Sequence, residues 1–331
     1  MGAHNPVQFA DIQSPGITRR LIRGHWAYST PKGKRITDRD EIDRLNAIAL
    51  PPAYHDAWFS PDPDVHILAT GIDARGRKQY RYHPDFRQEQ ENRKFAVCAQ
   101  FGRQLPHLRA RVEKDLAKRS LRPERAVASI VKLLDCVHIR VGNEAYARSN
   151  GSFGATTLRN RHVRLQGERI RLRFKAKSGK LCDIAVRDRG LCRFVKQVQD
   201  LPGQQLFQYL DEDGQPHPVN SSDVNAYIRQ AMGEDFTAKH FRTWAASVLA
   251  FEYLTENEGC TLAAMLAHVA EGLGNTPAIA RKSYIHPALI ELARTGERAP
   301  QMTRPPRATK WLSRSERGLI ALLELKAQGI G

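Results

Sequence analysis

An amide and a phenol lie nine residues apart in the run Gly274-Asn275-Thr276-Pro277-Ala278-Ile279-Ala280-Arg281-Lys282-Ser283-Tyr284. Three cations stand upstream in distinctive settings: Arg140 in Ile139-Arg140-Val141-Gly142-Asn143-Glu144, Lys177 in Phe174-Lys175-Ala176-Lys177, and Arg242 in Lys239-His240-Phe241-Arg242-Thr243-Trp244. Such a set suits attack on a phosphodiester. The cations can hold the crowded phosphorus oxygens, and the phenol can be the nucleophile. An unperturbed phenol has a pKa of about 10, so only about one in a thousand is ionised at neutral pH. Its neighbours must therefore stabilise charge, remove a proton, or both. The planar fork of arginine grips two phosphate oxygens at once, which lysine cannot do.

The elements that must position these groups are legible in part. The expected fold class is α+β, with a small β-rich N-terminal domain and a mainly α-helical catalytic domain carrying a three-stranded β insert. Residues 1–16 show no hydrophobic period and read as a loose lead-in. Residues 17–90 are rich in proline, glycine and aromatics, with strand-like pieces at Val65–Thr70 and Lys78–His83 around a turn at Asp73–Arg77. The polar stretch Arg87–Lys94 reads as a boundary or a hinge into helix. Residues 91–296 follow a helical period, beginning with the stripe Val127, Ile130, Val131, Leu134 and Val137 behind Pro123. Within them Ile170-Arg171-Leu172-Arg173-Phe174-Lys175 alternates strictly and predicts a strand with one apolar and one basic face. Ala176–Lys180 is its turn, Cys182, Ile184 and Val186 continue a returning strand, and His162–Leu165 supply a third. Residues 297–331 read as a basic C-terminal extension with a helix around Leu312–Ala327.

The order and settings of Arg140, Lys177, Arg242, Asn275 and Tyr284 resemble the type IB DNA topoisomerases, in the compact bacterial and poxvirus-like branch. The resemblance runs from about Ile17 to about Pro287. It implies that Tyr284 attacks the DNA backbone, forms a 3′-phosphotyrosine and releases a 5′-hydroxyl, so that resealing needs no ATP. It implies that Arg140 and Arg242 are the two catalytic arginines. It places the general-acid lysine three residues after an aromatic on a hairpin turn, which favours Lys177 behind Phe174; Lys175 and Lys180 are the rivals. Many members have a histidine where this chain has Asn275. An amide can donate the same hydrogen bond without charge. The resemblance also implies that Gly76-Arg77-Lys78-Gln79-Tyr80-Arg81-Tyr82 faces DNA, with Gln79, Tyr80 and Tyr82 as contacts beside Arg77 and Lys78. The expected arrangement is a C-shaped clamp on duplex DNA.

Composition agrees with a polyanionic partner. The chain of 331 residues carries 52 Lys+Arg against 35 Asp+Glu, a net charge of +17. Arg171, Arg173 and Lys175 form either a solvated strand face or a DNA-facing stripe, and Lys239 is a further candidate contact. The five scattered cysteines include no C-x-x-C pair, which argues against a disulfide framework and a zinc site and for small packing residues. Lys180 lacks the glycine spacing of a nucleotide loop. The acidic pieces Asp62/Asp64 and Asp211–Asp213 read as solvated turns, not a two-metal site. The expectation is a monomeric, cytoplasmic, nucleoid-associated enzyme that needs no cofactor, metal or membrane. Two other readings stand beside it. A tyrosine recombinase shares the nucleophile and the arginines, but usually has histidine where Lys239 stands. A non-catalytic basic DNA-binding protein leaves the five-residue set unexplained.

Overall fold

The computed structural model describes residues 7–328, so the first six residues of the expected lead-in and the last three of the expected extension lie outside the described residues. The fold is α+β, and the chain divides into two units, Met1–Arg93 and Lys94–Gly331.

In the first unit, β1 (Ile17–Ile22) and β2 (His25–Ser29) form a hairpin, α1 (Arg39–Ala47) follows, and β3 (His55–Phe59), β4 (Ile67–Ile72) and β5 (Lys78–Tyr82) complete the sheet. The strand order is β2-β1-β3-β4-β5 and every pairing is antiparallel. Ile17, Tyr28, Leu45, Leu50, Phe59 and Ala69 are its core. The helix α1 has a faint signal in this proline-rich stretch. Asp38 caps it by accepting from the Asp40 N–H at 3.0 Å, and Asp40 and Glu41 sit in the first turn, where they oppose the helix dipole. The lead-in is tied down from residue 7 onward. The Gln8 N–H donates to the Asp64 carbonyl at 3.1 Å, and the His66 N–H donates to the Gln8 carbonyl at 2.8 Å. The polar stretch expected as a hinge lies within α2 (Pro84–Ala96), and the division between the units falls inside this helix.

The second unit begins with α3 (Cys98–Ala117), α4 (Pro123–Val137) and α5 (Glu144–Asn150). The β insert follows as β6 (Val163–Gln166), β7 (Arg169–Lys175) and β8 (Leu181–Arg187), paired in that order. Then come α6 (Arg189–Val198), a small hairpin of β9 (Gln208–Leu210) and β10 (Pro216–Pro218), α7 (Ser221–Met232), α8 (Ala238–Glu256), α9 (Leu262–Leu273), α10 (Pro277–Ser283), α11 (Pro287–Thr295), α12 (Pro300–Thr303) and α13 (Arg314–Ala327). Pro123 opens α4 at its first turn, and Val127, Ile130, Val131 and Leu134 are buried along it. In β7 the alternation is complete: Ile170, Leu172 and Phe174 are buried and the basic residues between them are exposed. Burying each such side chain is worth about 1.5–3 kcal/mol relative to exposure, which pins the register of the insert.

The last segment is part of the same core and not an appended tail. Leu319, Leu322 and Leu323 of α13 are buried with residues of α3 and α8. Cysteines are free and mostly packed, but Cys136 is exposed, unlike the packing role expected of it.

Backbone freedom matters most beside Arg140. Gly142 has φ +102, a region that L side chains rarely adopt. Opposite it, a Cβ on Gly154 would stand 2.6 Å from the Arg140 carbonyl oxygen and from the Gly142 backbone. Two rigid chain segments therefore meet with room for hydrogen only. We predict that Gly154→Ala loses about 1–3 kcal/mol of stability by overpacking. Chemical denaturation should show a lower midpoint at unchanged slope; an unchanged midpoint would mean that this contact relaxes freely.

Candidate active site

Tyr284 stands at the end of α10, held on both sides. Thr276 caps the helix by accepting from the Ile279 N–H at 3.3 Å, and Pro277 fixes the first turn. The Tyr284 N–H closes the last turn onto the Ala280 carbonyl at 3.1 Å. Before the tyrosine, Lys94 donates to the Ser283 carbonyl at 2.8 Å. After it, Ile285 is wholly buried and the His286 N–H donates to Ser247 Oγ at 3.1 Å. The phenol thus projects from a short, braced segment.

Asn275 precedes that segment. Gly274 ends α9 in the left-handed region, φ +62, and the Asn275 N–H then folds back onto the Ala270 carbonyl at 2.8 Å. Arg140 Nη2 donates to Asn275 Oδ1 at 3.1 Å. A guanidinium can only donate, so it fixes the amide with oxygen toward itself and Nδ2 turned away. Nδ2 is buried and has no hydrogen-bond partner among the described residues.

Arg242 lies near the start of α8 and is only 5% exposed. It donates to the His138 carbonyl and, at 3.0 Å, to the Leu273 carbonyl. Those carbonyls belong to the ends of α4 and α9, where the helical ladder leaves acceptors open. Arg242 Nε is buried without a partner among the described residues. Its guanidinium carbon stands 5.0 Å from the centre of the Tyr284 ring. No ion pair joins Arg140 or Arg242 to a carboxylate of the described residues. Burial pushes the Tyr284 phenol up, but Arg242 and then Arg140 outweigh it and hold the phenol below its ordinary value. Burial and the neighbouring Arg140 both lower Arg242. Two cations, a free amide donor and an acidified phenol therefore converge on one place. An oxyanion with charge spread over several oxygens is the ligand that such a place stabilises.

The lysines divide. Lys177 is exposed on the β7–β8 turn, where Ser178 and Gly179 have φ +65 and +78, and it makes no hydrogen bond or ion pair with a described residue. Lys180, on the same turn, donates to the Asn275 carbonyl at 3.3 Å. Lys175 is exposed at the end of β7, and its carbonyl accepts from the Phe153 N–H at 2.8 Å. The structure thus brings Arg140, Arg242, Asn275 and Tyr284 together and adds Lys180, while no hydrogen bond or ion pair ties Lys177 to them among the described residues.

Among the candidate DNA contacts, Tyr80 and Tyr82 are 40% and 46% exposed, with ring centres 6.1 Å apart, and neither is a core residue. Gln79 donates to Asp73 at 3.1 Å, and Arg77 pairs with Asp73 at 2.7 Å. Hydrogen bonding by Arg77 holds the Asp73 carboxyl well below the usual range. Lys78, Arg173, Lys175 and Lys239 are exposed. Arg171 is exposed but grips Asp183 on the facing strand through two bonds of 2.8 Å. On the exposed face of β7, Arg171 is thus paired across the insert. The supporting roles of His138, Ser247 and Lys94 act through backbone groups or at long sequence separation, and no spacing in the chain announces them.

A cavity of about 910 Å³ is lined by Arg109, Asp135, Trp311 and Glu316 among others and includes none of these site residues. Residues 83–286 match the family described as eukaryotic DNA topoisomerase I, catalytic core, and residues 25–73 match the bacterial DNA topoisomerase IB N-terminal domain. The chain is 33% identical over 280 residues to a DNA topoisomerase 1B of Acanthamoeba polyphaga mimivirus, covering 80% of this chain and 83% of that protein. The chain belongs to the type IB DNA topoisomerase family. It is also similar to the DNA topoisomerase 1B of vaccinia virus (strain Copenhagen), at 20% identity over 73% of this chain and 76% of that one. A DNA topoisomerase 1 of Mycosarcoma maydis is 26% identical over 75% of this chain but only 26% of its own length. This type IB family member is thus similar to compact viral enzymes over most of both chains.

The ionisation of Tyr284 gives a direct check on the geometry. Removing a cation leaves burial less opposed, so Arg140→Ala should move the Tyr284 titration to higher pH. Carbon-13 labelling of the tyrosine ring would follow it by NMR. A titration unmoved by the substitution would show that Arg140 does not act on the phenol.

Proposed function

We propose that this protein relaxes supercoiled double-stranded DNA by cutting and resealing one strand, acting as a monomer with neither ATP nor metal. The observation that carries the reading is the convergence of two carboxylate-free guanidiniums on a phenol whose acidity they raise. Tyr284 Oη attacks the phosphorus and loses its proton to solvent. The bond from phosphorus to the tyrosine oxygen forms and the bond to the 5′ oxygen breaks, leaving a 3′-phosphotyrosine. Arg140 and Arg242 hold the non-bridging oxygens as charge builds on them, and Asn275 Nδ2 donates to one of them. One phosphodiester replaces another, so rotation of the free end and the reverse reaction complete relaxation without an energy source. The guanidiniums supply the stabilisation that a metal supplies elsewhere. Arg77, Lys78, Gln79, Tyr80 and Tyr82, with Arg171, Arg173, Lys175 and Lys239, are the proposed DNA contacts. The exposed tyrosines support this reading best. No helix among the described residues is long and apolar enough to cross a membrane, and the proposed setting is the cytoplasmic nucleoid.

For the general acid we propose Lys177, on the free tip of the hairpin. Lys180 is the second reading, favoured by its contact with Asn275. Either lysine would protonate the departing 5′ oxygen, typically worth 10²- to 10⁴-fold, so about that much should be lost without it. A substrate whose 5′ leaving group has a low pKa should restore cleavage to Lys177→Ala and leave Lys180→Ala unaffected. Rescue of Lys180→Ala alone would transfer the role.

The activity itself is tested by relaxation of supercoiled plasmid in EDTA without ATP. Wild type should relax it and Tyr284→Phe should bind without relaxing. No relaxation by the wild type would contradict the proposal.

A further inference from the structure

A second charged cluster lies away from the phenol, at the junction of α3, α4, α8 and α13. Arg109 of α3 reaches Asp135 of α4 through two bonds of 2.8 Å, and Glu316 of α13 through bonds of 2.9 and 2.6 Å. It also donates to the Trp311 carbonyl. Glu316 is only 8% exposed and takes a further bond, at 3.2 Å, from the Trp244 indole N–H. Burial raises the Glu316 carboxyl, but Arg109 outweighs burial and keeps it ionised.

Two members of this cluster lie close in sequence to Arg242 or to a group that holds it. Asp135 stands one helical turn before His138, whose carbonyl accepts from Arg242. Trp244 follows Arg242 by two residues on α8. The indole has no slack on one side: a Cβ on Gly102 would come within 2.3 Å of it. A cavity of about 110 Å³ is lined by Asp135, His138, Trp244 and Glu316 among others. The indole and the α4 end can therefore shift toward open space if Glu316 lets go. No hydrogen bond or ion pair joins Glu316 to Arg242 or Tyr284 directly, and α13 lies beyond residues 83–286 that match the catalytic-core family.

We infer that Glu316 is a positioning residue for Arg242: through Arg109, Asp135 and Trp244 it holds the end of α4 and the start of α8 that together aim the guanidinium. The terminal helix is on this account a working part of the active site. The inference rests on the proposed strand-cleaving function.

The test is a double-mutant cycle on single-turnover cleavage of a nicked duplex, with binding measured separately in the Tyr284→Phe background. Glu316→Gln keeps the side-chain shape and removes its charge. Its cleavage rate should fall about tenfold to a hundredfold, the scale of a misplacement near 1 Å, while DNA affinity stays within about twofold. In the Arg242→Lys background the same change should cost less than about threefold, because the group it positions is already lost. Equal losses in both backgrounds, or an undiminished rate in folded Glu316→Gln, would overturn the inference. Should Glu316→Gln fail to fold, Trp244→Phe, which removes the indole N–H along with part of the ring, runs the same cycle with the same criteria. Absence of cleavage by the wild type would instead overturn the functional reading on which the inference stands.

Discussion

A buried guanidinium without a carboxylate is the constraint around which this molecule is built. An unpaired buried charge is costly, and proteins ordinarily pair it or neutralise it. Arg242 is held by carbonyl dipoles from two helix ends, keeps one buried N–H unpartnered, and is further disfavoured by Arg140 beside it. An approaching phosphate relieves all three penalties at once. The same cations bear on Tyr284 and lower the phenol toward ionisation. In the proposed function, substrate binding and nucleophile activation thus draw on one electrostatic source.

Holding that source in place occupies much of the second unit. The α4 and α9 ends supply carbonyls, α10 braces the phenol, and the Gly142–Gly154 contact fixes the backbone of Arg140. The buried face of β7 anchors the hairpin that carries the lysines. Asn275 links the parts: its side-chain oxygen takes Arg140, its carbonyl takes Lys180, and its buried amide nitrogen is left without a partner among the described residues. An amide at this position does not titrate, so the site carries no imidazole-like ionisation there.

Much of this was legible in the chain. The alternation in Ile170–Lys175 appears as β7 with three buried apolar residues, and the stripe behind Pro123 appears as α4. Local periodicity is enough for such elements, because burial repeats every second or every third to fourth residue. Other features depend on partners distant in sequence. The helix α1 has a single buried leucine, too little for a period to stand out. The last segment has the composition of a solvated basic tail, yet Glu316 and three leucines of α13 are buried in the main core. The basic stripe of β7 is broken by Asp183 across the sheet, which alternation in one strand cannot reveal. For the candidate site, order and local setting marked Arg140, Arg242, Asn275 and Tyr284. The choice among Lys175, Lys177 and Lys180 turns on how a five-residue turn is shaped, and the positive φ of Ser178 is not written in residue type.

The most direct measurement is to trap the protein on a duplex whose released fragment, the one bearing the 5′-hydroxyl, is short enough to diffuse away, then digest with trypsin and locate the nucleotide by mass spectrometry. Cleavage after Lys282 releases the peptide that begins Ser283-Tyr284. The account predicts that this peptide carries the 3′ end of the cut strand on Tyr284. A trapped nucleotide on any other residue, or attachment through the 5′ end of the downstream fragment, would contradict it.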